Sequence, residues 1–328
     1  MRPVVVAPDS FKGTFSAVEV ADALARGLEG AGVPADRCPV ADGGEGTTAV
    51  VLASRGGRSV TVPVRGPLGG TVDAEFALLD DGRAALLDMA AASGLALIAE
   101  DERNPWAATT YGTGELIVAA ALTGAEEIMV GVGGSATVDG GAGALEAIAD
   151  GGGVRGARIV VLCDVQTPWE RCAQIYGPQK GADPDMVRRL EARLDALAEE
   201  LPRDPRGLPM TGAAGGLSGG LWAGLGAELL PGAPHVLDVV RFDERLREAS
   251  ACVAGEGRID EQSVMGKIVG EIGERALAAG VPLYAVVGRN AIDGAAAGRI
   301  ALREIIEATT LAEIEAAGAR LAGELAGR

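Results

Sequence analysis

Histidine is almost missing from this chain of 328 residues, in which His235 stands alone. With one imidazole, multi-histidine metal sites are excluded and Ser-His-Asp or Cys-His catalysis has little to build on, so acid–base work falls to carboxylates or lysines. Cysteine is equally sparse. Cys38, Cys163, Cys172 and Cys252 are widely spaced with no CxxC pair, which argues against a zinc site or a disulfide framework and leaves them as small buried hydrophobes. Long apolar runs are absent, the stretch 116–122 being far short of a membrane span, and Met-Arg-Pro-Val-Val-Val leads into strand-like sequence without a signal-peptide core. The expectation is a cytoplasmic protein with no membrane partner. Cations are also scarce: 29 Lys+Arg face 46 Asp+Glu, a net charge of −17, so no basic stripe is available for nucleic acid. Lysine is the rarest of them, at Lys12, Lys180 and Lys267 only. In a chain that otherwise uses arginine, those three positions point to sites wanting a compact ammonium.

What the chain does have is an ordered alternation of strand and helix patterns. Residues 3–7 form a short apolar strand ending in Pro8-Asp9-Ser10, and 16–28 repeat apolar positions at helical spacing, with Ser16 as N-cap and Glu19 three residues on. A second strand is predicted at 36–41, followed by Asp42-Gly-Gly-Glu-Gly-Thr47 and a helix start at 48–53. Strands at 251–255, 283–288 and 304–309, with helices at 266–279 and 293–299, complete five strands near the two ends of the chain. This is the pattern of an α/β, flavodoxin-like doubly wound parallel sheet formed by 1–58 and 241–328, with a second mixed α/β domain, 59–240, inserted in it. Within the insertion, 60–64, 72–79 and 83–88 read as antiparallel strands with Gly and Pro turns. Helices follow at 110–123, 141–149 and 184–200 and strands at 127–132 and 158–163, and the glycine-rich 212–226 begins another helix.

Ligands of open parallel sheets sit at the carboxyl ends of strands where the winding reverses. With the order 2-1-3-4-5 that crevice collects Asp9, Ser10 and Lys12 after the first strand, Asp42 and Glu45 after the second, and Glu256, Arg258 and Asp260 after the strand at 251–255. The densest glycine segment, Gly131-Val-Gly-Gly-Ser-Ala-Thr-Val-Asp139, lies between strand and helix, where backbone amides can cradle an anion and Ser135 and Thr137 add hydroxyl donors. It contains a GxGxxA pattern (Gly131, Gly133, Ala136), which alone is weak evidence for a dinucleotide. GxxxxGK[ST] and the protein-kinase signatures are absent. Lys180 in Gly177-Pro-Gln-Lys-Gly and Lys267 after Gly266 each stand beside glycine, so ammonium and amides can meet one phosphate. Asp164, ending a buried-looking strand, is a candidate metal ligand or general base, or else a turn or helix cap.

Together these motifs resemble the bacterial glycerate kinase family, of the class with a flavodoxin-like domain and an inserted second domain. Ala7-Pro-Asp-Ser-Phe-Lys-Gly13, Ala41-Asp-Gly-Gly-Glu-Gly-Thr47, Thr110-Tyr-Gly-Thr-Gly-Glu-Leu-Ile117, Gly131-Val-Gly-Gly-Ser-Ala-Thr137, Cys163-Asp-Val165, Gly177-Pro-Gln-Lys-Gly-Ala182, Gly212-Ala-Ala-Gly-Gly-Leu217 and Gly255-Glu-Gly-Arg-Ile-Asp260 all stand in the family's order. Three features depart from it: Val138 and Thr167 replace asparagines, and the stretch 150–158 is short. The resemblance implies ATP- and Mg²⁺-dependent phosphorylation of D-glycerate, with 2-phosphoglycerate as the usual product. On this reading Gly133, Gly134, Ser135, Thr137 and Lys180 hold ATP, Lys12 or Lys267 neutralises the transferring group, and Asp9, Ser10, Glu256 and Arg258 bind the acceptor. Asp42 and Asp164 ligate Mg²⁺ or take the hydroxyl proton. The site is expected in the cleft between the two domains of a monomer or homodimer. Phosphorylation giving 3-phosphoglycerate, a related small hydroxy acid as acceptor, a nicotinamide-dependent dehydrogenase, and a nucleotide or carboxylate sensor without turnover stay open as alternatives.

Overall fold

Val4, Val5, Val6 and Ala7 are all fully buried, as a strand covered on both faces of a parallel sheet must be. The computed structural model describes residues 2–11, 13–260, 263, 268–292, 297–298 and 300–326. Strands β1 (Val4–Pro8) and β2 (Ala35–Arg37) are followed by β3 (Arg58–Arg65), β4 (Thr71–Leu79), β5 (Ala84–Asp88), β6 (Glu127–Gly131), β7 (Arg158–Cys163) and β8 (Glu228–Pro231), and then by β9 (Ala251–Glu256), β10 (Leu283–Val287) and β11 (Leu302–Glu307). The chain divides into two compact units, one of Met1–Asp42, Ala49–Gly56 and Ala233–Arg328, the other of Gly43–Thr48 and Gly57–Gly232. Lys12, Lys267 and most of the helix expected at 293–299 lie outside the described residues.

The first unit carries a five-stranded sheet in the order β11-β10-β9-β1-β2, parallel throughout. Counted within the sheet this is 2-1-3-4-5, the flavodoxin-like winding. β2 is shorter than the sequence pattern suggests, but Cys38 and Val40 still donate backbone bonds to Val6 and Pro8, both at 2.9 Å, so the segment runs on beside β1. Helix Ala17–Gly30 opens with the expected capping box: Glu19 N–H donates to the Ser16 hydroxyl at 3.2 Å and the Glu19 carboxylate accepts from Ser16 N–H at 2.9 Å. It packs against helix Leu311–Ala326 through small residues. A Cβ at Gly27 would lie 2.0 Å from the Glu315 carbonyl oxygen and one at Gly318 2.4 Å from that of Leu24, so any larger residue forces the helices apart.

The second unit carries a six-stranded sheet, β3-β4-β5-β6-β7-β8. β3/β4 and β4/β5 are antiparallel, as the alternating pattern predicts, and β5 to β8 run parallel. β8 went unread in the sequence because Glu228–Pro231 is short and only partly buried. β3 is an edge, with Pro63 in its interior opposite Asp73. Helices Tyr111–Leu122, Ala142–Asp150 and Leu217–Leu225 bury Leu116, Ile117, Ala144, Ile148, Leu217 and Leu221 in the main core of this unit. A satellite core forms around Trp169, whose Nε1–H donates to the Leu194 carbonyl of helix Pro184–Glu200 at 3.2 Å. No described helix is long and apolar enough to cross a membrane.

Candidate active site

In the first unit the sheet reverses its winding between β1 and β9, and a cavity of about 400 Å³ opens at the carboxyl ends of the strands there. Its wall includes Asp9 and Ser10 after β1, Asp42 after β2, Glu256 and Arg258 at and beyond the end of β9, and Arg289 beyond β10. Asp9 is held where the β1/β9 ladder runs out: its N–H donates to the Gly255 carbonyl at 2.8 Å, and its carboxylate accepts Ser10 N–H at 2.6 Å. Only 8% of Asp9 is exposed, so its carboxylate belongs to the cavity wall more than to solvent. Glu256 accepts from the Ser263 hydroxyl at 3.0 Å, while Asp260 and Ser263 exchange backbone N–H donations to each other's side chains, both at 3.2 Å. Arg258 lies 3.9 Å from Asp260 and is well exposed, leaving its guanidinium to meet an anion. Acids that accept hydroxyl donors share this lining with cations that pair with carboxylates, a combination suited to a small hydroxy acid.

In the second unit three segments converge at the carboxyl ends of β5, β6 and β7. The loop Gly43–Thr48 is fastened to β5 by Asp88, whose carboxylate accepts from Gly46 N–H at 2.9 Å and Thr48 N–H at 3.3 Å. Burial pushes the Asp88 carboxyl up to about 6, the two amides oppose it, and the Glu45 charge adds to it. The same loop accepts Val132 N–H at the Gly43 carbonyl, 3.2 Å away. These bonds explain why contacts group 43–48 with the second unit, whereas the sequence boundaries place it in the first. The glycine-rich loop presses on it directly. A Cβ at Gly133 would fall 2.6 Å from Gly44 Cα and 2.7 Å from Glu45 N, and one at Gly134, whose φ is +69°, 2.7 Å from Glu45 Oε2. Only glycine fits both positions.

Lys180 lies beneath this loop and is 2% exposed. Its ammonium donates to the Ser135 hydroxyl at 2.6 Å and the Thr137 carbonyl at 2.7 Å. Burial lowers its pKa to about 8, with the charges of Cys172 and Asp139 pulling the other way. Thr137 is fully enclosed, and its Oγ1 has no hydrogen-bond partner among the described residues. Gly133, Gly134 and Ser135 therefore form the loop itself, while Thr137 and Lys180 support it from inside. Asp164 is exposed just past β7. Sequence reasoning gave Asp139 no role, yet its carboxylate accepts from Thr110 N–H and Thr110 O–H, both at 2.8 Å, from Gly141 N–H at 3.1 Å and from Gly143 N–H at 3.4 Å. It joins the start of helix Tyr111–Leu122 to the start of helix Ala142–Asp150. Arg193 pins the next turn by donating to the Val138 carbonyl and to that of Trp106 at 2.9 Å.

The GxGxxA glycines do not open a helix here. Ten residues separate Gly131 from the helix start at Ala142, whereas a dinucleotide fingerprint needs the glycines at the helix N-terminus itself. Among the described residues no group of three or more His, Cys, Asp or Glu is placed to hold a metal. The carboxylates of Asp42, in the cavity wall, and of exposed Asp164 are hard oxygen donors. Each by itself is a donor of the kind that Mg²⁺ accepts, since the ion takes one or two carboxylates and fills its shell with water and phosphate oxygens.

Two α/β units with polar and glycine-rich loops at their strand ends are an architecture shared by many enzymes of small-molecule metabolism. Comparison with known proteins gives the particular family. The model of the glycerate kinase family matches residues 4–151 and 152–324. A glycerate kinase of Halalkalibacterium halodurans is 39% identical over 325 residues, covering 88% of this chain and 86% of that protein. A glycerate 2-kinase of Escherichia coli is 39% identical over 302 residues, covering 81% and 79%. The crystal structure of a glycerate kinase 2 from Salmonella typhimurium LT2 superposes with a TM-score of 0.86 at 33% identity, over 99% of this chain and 98% of the other. The chain belongs to the glycerate kinase family.

Proposed function

We propose that the protein transfers the γ-phosphoryl group of ATP to the 2-hydroxyl of D-glycerate, giving 2-phosphoglycerate and ADP. The observation that carries the acceptor assignment is the cavity at the winding reversal, whose lining combines Arg258 with the acids Asp9, Asp42 and Glu256. Arg258 takes the acceptor carboxylate as a bidentate pair, and Asp9, Ser10 and Glu256 orient its hydroxyls. The amides of Gly133 and Gly134 and the Ser135 hydroxyl receive ATP phosphates, on a loop that Thr137 and Lys180 keep in shape. Lys12 or Lys267 balances charge on the moving group. The acceptor oxygen forms its bond to the γ-phosphorus as the bond to the β,γ-bridging oxygen breaks, and ADP leaves with that electron pair. The hydroxyl proton passes to Asp42 or Asp164, whichever is not engaged with Mg²⁺. Mg²⁺, when bound, supplies neutralisation of the phosphate charge. The name of the Escherichia coli relative supports the 2-position. We place the reaction in the cytoplasm, where ATP is available.

The test is direct. Protein, Mg²⁺, ATP and D-glycerate are mixed and the product is read by ³¹P and ¹³C NMR, with phosphorus coupling expected at the carbon bearing the 2-oxygen. A proton-coupled ³¹P triplet, from the two hydrogens of the 3-carbon, in place of the doublet expected from the single hydrogen of the 2-carbon, would move the site of transfer. ADP formed at the same rate without glycerate, tight binding of both ligands with no turnover, or reduction of a nicotinamide instead would overturn the reading.

A further inference from the structure

The acceptor reading leaves one cation of the cavity without a task. Arg289 follows β10, and its backbone is clamped by an extension of the sheet past the ordinary strand ends. Ile259 N–H donates to the Arg289 carbonyl at 3.0 Å, Ala291 N–H to the Ile259 carbonyl at 2.9 Å, and Gly288 N–H to the Glu256 carbonyl at 3.1 Å, so that Ile259 and Asn290 form a parallel bridge. The two segments are pressed together: a Cβ at Gly288 would sit 2.5 Å from the Gly257 carbonyl oxygen. On the far side Asn290 N–H donates to Glu307 at 2.9 Å, and the Asn290 side chain accepts Ile292 N–H at 3.1 Å, closing the turn. Arg258 and Arg289 are thus presented by neighbouring, mutually bonded segments, and both line the same cavity.

One guanidinium suffices for a monocarboxylate such as glycerate. The phosphorylated product carries a carboxylate and a phosphate, and two guanidiniums lining one cavity match that pair of anions in number and charge. We infer that Arg289 binds the phosphoryl group as it arrives on the acceptor, so that the cavity recognises the product, and the transition state leading to it, more tightly than the substrate. The inference rests on reading this cavity as the acceptor site. An interaction made only after transfer begins leaves substrate binding unchanged and acts on turnover and product affinity. Arg289 is exposed, and its backbone bonds do not involve the side chain, so Arg289→Gln and Arg289→Lys keep the fold.

The experiment measures dissociation constants of D-glycerate, 2-phosphoglycerate and ATP by calorimetry on the whole protein and on Arg289→Gln, Arg289→Lys and Arg258→Gln, with thermal melts to confirm folding. Arg289→Gln is expected to weaken 2-phosphoglycerate about 30-fold and glycerate less than about 3-fold, the range of one charge-assisted pair. Arg289→Lys recovers part of the loss, and Arg258→Gln weakens both acids. If Arg289→Gln weakens both acids equally, weakens ATP as much, or leaves all three unchanged while Arg258→Gln weakens the acids, the role given to Arg289 is wrong and the acceptor assignment stands. If Arg258→Gln and Arg289→Gln both leave the acids unaffected, the acceptor assignment fails with it.

Discussion

Replacing Lys180 with Met isolates the cost of burying an ammonium under a phosphate-binding loop. In the folded protein burial holds the Lys180 ammonium down to about 8, against an ordinary value of 10.5. Below about pH 8 the group is protonated in both folded and unfolded chains, and folding must bury the charge. Between the two pKa values the unfolded chain holds a proton that the folded one has released, so wild-type stability rises with pH. From about pH 7 to about pH 9.5 the gain is about 2 kcal/mol, and about 3 kcal/mol once both states are neutral. Lys180→Met has nothing to titrate and gains none of this. The measurement is urea unfolding of both proteins, with reductant, at steps across that range. Absolute stability is a poor readout, because the four cysteines are buried and burial raises their thiol pKa values, Cys38 and Cys172 to about 12. They stabilise the fold below about pH 9, and that stability drains away as the pH rises further. Both proteins share those thiols, so the difference between them reports Lys180. A difference that stays flat from about pH 7 to about pH 9.5 would refute the assignment of a buried, depressed ammonium.

Two further substitutions test the parts of the second unit that shape the loop. Asp139→Ala leaves four donors around a buried position without their acceptor, and is expected to lower unfolding free energy by about 3 kcal/mol; a loss under about 1 kcal/mol in denaturant titration would mean that water replaces the carboxylate. Gly133→Ala must displace the backbone of Gly44 and Glu45 and should raise KM for ATP by about tenfold while glycerate KM holds. Gly30→Ala, where a Cβ meets nothing within 4 Å, is the control and should leave both constants as they were.

The strand order of the first unit was legible because its strands are continuous apolar runs, each ending in an identifiable polar loop. The same signal located the cavity acids and Arg258. Arg289 was missed for a definite reason: the pattern marked where β10 ends, but which side chain beyond it enters a cavity depends on the bridge between Asn290 and Ile259, thirty-one residues apart in sequence. Lys180 shows a limit of another kind. Gly-Pro-Gln-Lys-Gly has the composition of an exposed turn, and its lysine is buried because Ser135 and Thr137, far off in sequence, supply the bonds that make burial tolerable. Asp139 was hidden inside a motif noticed for its glycines. Its carboxylate reads as one more loop acid until Thr110, twenty-nine residues earlier, is brought beside it. Local composition identified the loops, and long-range pairing decided what each side chain does in them.

Pro63 in β3 has a consequence for how molecules of this protein meet one another. Proline has no N–H to give, so a proline within a paired strand is tolerated only where its nitrogen faces away from the partner, here away from β4. The free margin of the six-stranded sheet is therefore interrupted at its middle, and arginines, Arg58 and Arg65, stand at both ends of the strand. A strand from a second copy could not zip along that margin in a continuous ladder, and at its end the Arg65 N–H is already given to Glu115 at 2.6 Å, so the sheet is protected from growing into fibrous aggregates along this strand.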